Sequence, residues 1–154
     1  MNFFSILFLL FLFFDSLISV TILVNDCAGL QNMNGELNAN LVIGKDLDCS
    51  SGFVPVGDSA APFTGSLDGQ GYSLILNIQI GNIETGLFGV GSNCTVSNLL
   101  IKNSNLTSDK GKLGILFGSL YNSSISNIQV STENPIMKNN LTSNGGYSIG
   151  GLVK

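Results

Sequence analysis

The chain contains no histidine, no tryptophan and no arginine, and all six of its basic residues are lysines. Without histidine it lacks both the side chain that titrates near neutral pH and the Cys/His spacings that hold zinc. Without arginine it lacks the planar fork that grips phosphate at two points. Lys45, Lys102, Lys110, Lys112, Lys138 and Lys154 are scattered rather than striped, and the net charge is −4. Nucleic acid is a poor partner for such a surface. Charged residues of both signs make up only 10% of the chain while 44% is hydrophobic, which excludes a disordered polyelectrolyte. A length of 154 residues, with 19 Gly and 3 Pro, suits one domain rich in turns.

Long apolar runs are confined to the N-terminus. Residues 3–14 are almost unbroken apolar sequence, followed by Asp15 and the small-residue stretch 16–21. The run falls short of the roughly 20 apolar residues that span a bilayer. It predicts a secretory signal over residues 1–20, cleaved near Ser19 or Thr21. Met1-Asn2 carries no Lys or Arg, so an uncleaved membrane anchor is the alternative. The domain proper is then 21–154, outside the cytosol. Asn-x-Ser/Thr acceptors at Asn93, Asn105, Asn122 and Asn140 are N-glycosylation candidates in that compartment. Cys27 and Cys49 could close a disulfide there, leaving Cys94 as a buried apolar residue or an intermolecular bridge.

What is present is a repeated phrase: Gly86-Leu87-Phe88-Gly89, then Leu116-Phe117-Gly118, then Gly151-Leu152-Val153. Leu87 stands 11 residues before Asn98 in Val96-Ser97-Asn98-Leu99-Leu100-Ile101, and Leu116 stands 11 residues before Asn127 in Ile125-Ser126-Asn127-Ile128-Gln129-Val130. Self-similarity at this scale means one supersecondary unit stacked on copies of itself. The variable length between repeats falls within residues 131–148, where insertions emerge as loops. A constant wall with variable loops is a parallel β-helix. Leucine-rich repeats need a steadier, shorter period.

Ile75-Leu76-Asn77-Ile78-Gln79-Ile80 aligns on the same Asn, with apolar residues at positions one, four and six. Strict strand alternation would give one, three and five, so the chain must bend at the Asn, which tolerates left-handed backbone. Asn77, Asn98 and Asn127 are therefore expected to stack as an amide ladder. Val96, Leu99, Ile101, Ile125, Ile128 and Val130 are expected to face inward, with Phe88, Phe117 and Val153 in an apolar stack. Asn93 and Asn122, each six residues after the Leu of its phrase, would lie on neighbouring coils, too close for both to carry a glycan. Asn105 and Asn140, on loops of different length, are expected to be independent. Leu30, Met33 and Leu37 at helical spacing predict a short N-terminal capping helix over residues 28–37.

Leu30-Gln31, Leu47-Asp48-Cys49-Ser50, the stretch Pro62-Phe63-Thr64-Gly65-Ser66-Leu67-Asp68-Gly69-Gln70-Gly71-Tyr72, Gly86-Leu87-Phe88-Gly89 and the Asn-Leu/Ile phrases together resemble the GLUG-repeat proteins. The resemblance covers about residues 27–154 and implies a right-handed parallel β-helix in a secreted or surface protein, often adhesin-like. Ile115 stands where the phrase prefers Gly, and Lys154 where its closing Gly belongs.

Many β-helices are polysaccharide lyases or hydrolases, whose sites need clustered carboxylates together with basic groups. Here Asp46 and Asp48 are the one close pair. Two apart on a strand, they point the same way and could share a Ca²⁺, although a polar edge leading into a turn explains them as well. Asp68 belongs to an Asp-Gly turn. Thr residues are too dispersed for the ranked array of an ice-binding face, and no catalytic, metal or cofactor residues are expected. The expected function is a secreted or cell-surface scaffold or adhesion module. A carbohydrate-active β-helix enzyme, or its non-catalytic binding remnant, is the alternative. A glycan or surface protein would be met through the variable loops. Leu152 lies too near the end for its Asn corner to follow, so the last coil is expected to be incomplete. The chain would then be a fragment, or would self-associate through that end.

Overall fold

The computed structural model describes residues 20–79, 84–108, 111–131 and 140–143. The expected signal, apart from Val20, and Val153 lie outside them. The chain opens with β1 (Thr21–Val24), α1 (Cys27–Gln31), a 3-10 turn (Asn32–Gly35), β2 (Asn40–Ile43), β3 (Leu47–Cys49), β4 (Ser66–Asp68) and β5 (Ser73–Gln79). It continues with β6 (Glu84–Thr85), β7 (Phe88–Ser92), β8 (Thr95–Lys102), β9 (Asn105–Ser108), β10 (Lys112–Leu113), β11 (Phe117–Tyr121), β12 (Ser124–Ser131) and β13 (Asn140–Ser143). All the strand pairings among them are parallel, as a β-solenoid of about three turns requires.

One wall carries β1, β2, β4, β8 and β12 in order. Ile22, Leu41, Leu67, Val96 and Ile125 fall in register along it and point into the coil. A second wall aligns Leu47, Leu74 and Ile101 through β3, β5 and β8. The third joins β5, β9 and β13, with Ile78 and Leu106 buried. At the remaining side the rings of Phe63, Phe88 and Phe117 stack, with centroids 4.2 and 5.0 Å apart and planes inclined by 18° and 21°. Stacked aromatic pairs add to the stabilisation from burying each ring. Phe63 takes the bottom place in the expected stack.

The repeat phrase needs its glycine because coils approach closely there. A Cβ on Gly118 would lie 2.7 Å from the carbonyl carbon of Glu84 and 2.5 Å from the amide nitrogen of Thr85, both backbone atoms of the coil below. Leu116 and Phe117, beside it, are fully buried. Sequence, close approach and core packing are thus one constraint.

Asn98 and Asn127 bend β8 and β12 as expected, with φ of 55° and 51° in the left-handed region. The bend resets the side-chain parity: Val96 faces in, then Leu99 and Ile101. Asn77 does not belong to this set. It is extended within β5 and pairs with Asn105. The rung beneath Val96 to Ile101 is Leu67 to Leu74, where Asp68 opposes Ser97 and Ser73 opposes Leu100. Residues 69–72 thus span what Asn98-Leu99 spans, with the left-handed positions at Gln70 and Gly71. Aligning Asn on Asn misses this two-residue insertion.

Two other expectations change. The helix is shorter than residues 28–37: α1 begins on the Asp26 cap, whose carboxylate accepts from the Gly29 amide at 2.7 Å, and passes at Asn32 into the 3-10 turn. Val96, Leu99 and Ile101 are buried, but Ile125 and Ile128 are half-buried and Val130 is 46% exposed. The cause is position: among the described residues β12 pairs only with β8.

Candidate functional site

The polar side chains of these coils are arranged in columns. Asn127 Nδ2 donates to Asn98 Oδ1 at 2.8 Å, and Asn98 Nδ2 donates to Asp68 Oδ1 at 3.0 Å. Asp68 Oδ1 also accepts from the Gln70 amide at 3.0 Å. The ladder therefore runs Asn127, Asn98, Asp68, each amide donating to the residue one coil below and the last to the carboxylate. Asn77 lies on a different column, where its Nδ2 donates to the Ser50 carbonyl at 2.9 Å.

A carboxylate at the foot of an amide column is an acceptor only, so it sets the flip of each amide above it. The Asn98 amide, followed by the Gln70 backbone amide, holds the Asp68 carboxyl below its ordinary value of 3.8. A lowered folded-state pKa means that ionised Asp68 stabilises the fold above the unfolded value, and that this contribution is lost as pH falls through the folded one. Stability to urea is therefore expected to drop as pH falls below about 3.8, and Asp68→Asn should flatten part of that drop. Identical pH profiles for the two proteins would contradict the ladder's direction.

Asp46, Asp48 and Asp58 also accept from backbone amides. Asp46 Oδ1 accepts from the Ser73 amide at 2.7 Å, and Asp48 Oδ1 from the Ser50 amide at 2.9 Å. Backbone donation from Ser73 leads the causes that lower Asp46, and hydrogen bonding by Ser50 lowers Asp48. Asp58 Oδ1 closes a turn with the amides of Ala60 and Ala61, at 2.8 and 2.9 Å. Among the described residues no three His, Cys, Asp or Glu gather as metal ligands.

A second device, centred on serine, is not readable from the repeat phrase. Ser123 Oγ donates to the Tyr121 carbonyl at 2.6 Å and accepts from the Cys94 amide of the coil below at 3.0 Å. Ser104 Oγ does the same between the Lys102 carbonyl at 3.0 Å and the Leu76 amide at 2.9 Å. Each serine follows a left-handed Asn, Asn122 or Asn103. Such a corner turns the backbone carbonyl out of line, and the hydroxyl takes its place in the ladder. The signal is the dipeptide Asn-Ser one coil above a buried strand residue.

The outer face of the five-stranded wall presents Thr21, Asn40, Ser66, Thr95 and Ser124 in one row. Ser66 Oγ donates to Asn40 Oδ1 at 2.8 Å. The row is ranked, as the sequence did not suggest, but only Thr21 and Thr95 in it are threonines. Cys27 and Cys49 form a disulfide across the first coil, with Cα atoms 5.5 Å apart. Cys94 is buried, and burial pushes its thiol up. Asn93 and Asn122 are exposed left-handed corners, Asn105 is half-buried in β9, and Asn140 begins β13.

Comparison with family models, curated proteins and solved structures returns no match to this chain. The described coils offer two kinds of polar group. They are aspartates that accept from backbone amides and ranks of neutral hydroxyls and amides. The latter can both donate to and accept from a neutral polar ligand.

Proposed function

We propose that this chain is a secreted or cell-surface β-solenoid that serves as a scaffold or adhesion module, of the kind the GLUG-repeat resemblance implies, with no catalysis of its own. The observation that carries the reading is the Cys27–Cys49 disulfide, which staples α1 to β3 in the first coil. Disulfides persist in oxidising compartments and are rare in the cytosol. The neutral ranks of Ser, Thr and Asn side chains on the outer faces support a surface that meets a glycan or another surface protein by hydrogen bonding. The commitment of Asp46, Asp48, Asp58 and Asp68 to backbone and amide donors weighs against a carbohydrate-active enzyme.

The test is expression of the full chain in a eukaryotic secretory host with its own N-terminal segment. The expected product is in the medium, begins near residue 20, and has Cys27 and Cys49 joined. A product retained inside the cell with both thiols free would overturn the reading.

A further inference from the structure

The four Asn-x-Ser/Thr acceptors fall into two vertical pairs. The Asn93 amide donates to the Tyr121 carbonyl at 3.0 Å, Ser92 opposes Tyr121 and Thr95 opposes Ser124. Asn93 and Asn122 therefore occupy the same corner one coil apart, with φ of 52° and 46°. Asn105 and Asn140, expected on loops of different length, instead lie on paired strands. Asn105 opposes Asn140, Leu106 opposes Leu141 and Thr107 opposes Thr142, so two whole acceptor triplets lie in register. The longer stretch of sequence before β13 leaves the rung in register. Strand spacing puts the members of each pair only ~4.8 Å apart.

We propose that these four acceptors act as two glycan sites, each pair carrying one N-linked oligosaccharide in the secreted molecule. The inference rests on the secreted reading. In the transfer, the Asn amide nitrogen forms a bond to the anomeric carbon of a lipid-pyrophosphate-linked oligosaccharide. The bond from that carbon to the pyrophosphate oxygen breaks, the lipid pyrophosphate leaves with the electron pair, and the amide proton passes to a base of the transferase. Acceptance precedes closure of the ladder, since β9 has its backbone committed to neighbouring strands once folded. On the unfolded chain the two members of a pair are far apart and do not interfere. Folding then brings a second branched glycan against the first at one rung's distance, and ordering both costs conformational entropy. Molecules modified at both members of a pair are thus selected against at folding.

Glycopeptide mass spectrometry of the protein secreted from a eukaryotic host tests this. Two glycans per molecule are expected, one on Asn93 or Asn122 and one on Asn105 or Asn140. Ser124→Ala and Thr142→Ala remove one acceptor triplet of each pair without touching the acceptor Asn, so they should leave the total at two, with occupancy moved to Asn93 and Asn105. Secreted molecules with three or four glycans would overturn the inference, as would none, or a loss of one glycan in either variant. Retention inside the cell with free Cys27 and Cys49 thiols would instead overturn the secreted reading and take the inference with it.

Discussion

Replacing Phe88 with Ala is expected to destabilise the protein by ~3–5 kcal/mol, the range for deleting a fully buried aromatic ring. Phe88 is the middle ring of the stack, with Phe63 below and Phe117 above, and it is fully buried. Its removal leaves a cavity between two rings, and neither can close the gap without breaking a strand pairing. Phe88→Leu should cost less, because it keeps most of the apolar volume. Val130→Ala is the control: its side chain is 46% exposed, and the change should fall within ~0.5 kcal/mol. Chemical denaturation of the three variants decides the matter. Equal losses for Phe88→Ala and Val130→Ala would show that the ring column is not the core.

Opening the Cys27–Cys49 bridge is the second large effect. The bond closes a separation of 22 residues, and the chain-entropy model gives ~3.4 kcal/mol for a loop of that size. The first coil needs it more than the others do. It is built from a helix of five residues, a 3-10 turn of four and a strand of three, none of which is stable alone. The double variant Cys27→Ser/Cys49→Ser should therefore lower the melting temperature by several degrees and expose the amides of β1 and β2 to hydrogen exchange before those of β7 and β11. Exchange that speeds up uniformly, or not at all, would contradict a local staple.

The coils were legible where repeats have equal length. Leu87 and Leu116, Val96 and Ile125, and Asn98 and Asn127 recur at the same offset because their rungs are stacked without insertion. The carboxylates were legible as turn residues, Asp68 through its Asp-Gly turn. Legibility failed wherever the chain length between rungs changed. Asn77 matched the Asn phrase in composition, yet the residues after Asp68 had already made that coil's corner, so Asn77 moved to the next wall. Asn105 and Asn140 looked unrelated for the converse reason, since a long connection separates strands that pair in register. Phe63 carries no Leu-Phe-Gly phrase, and only the closed coil brings its ring onto Phe88. The serine bridges at Ser104 and Ser123 depend on which amide lies beneath them, which one-dimensional spacing does not encode.

A scaffold whose aspartates serve its backbone and an enzyme with a carboxylate site part company on turnover. The purified, disulfide-bonded protein can be incubated with a panel of neutral and acidic polysaccharides, with and without Ca²⁺, while new reducing ends and unsaturated products are measured alongside the protein retained on each insoluble polymer. A scaffold or adhesion module should leave every polysaccharide intact, whether or not it is retained. New chain ends that accumulate in proportion to protein concentration, and that disappear when Asp46 and Asp48 are replaced by Asn, would contradict the proposed scaffold role and place a working site beside β3.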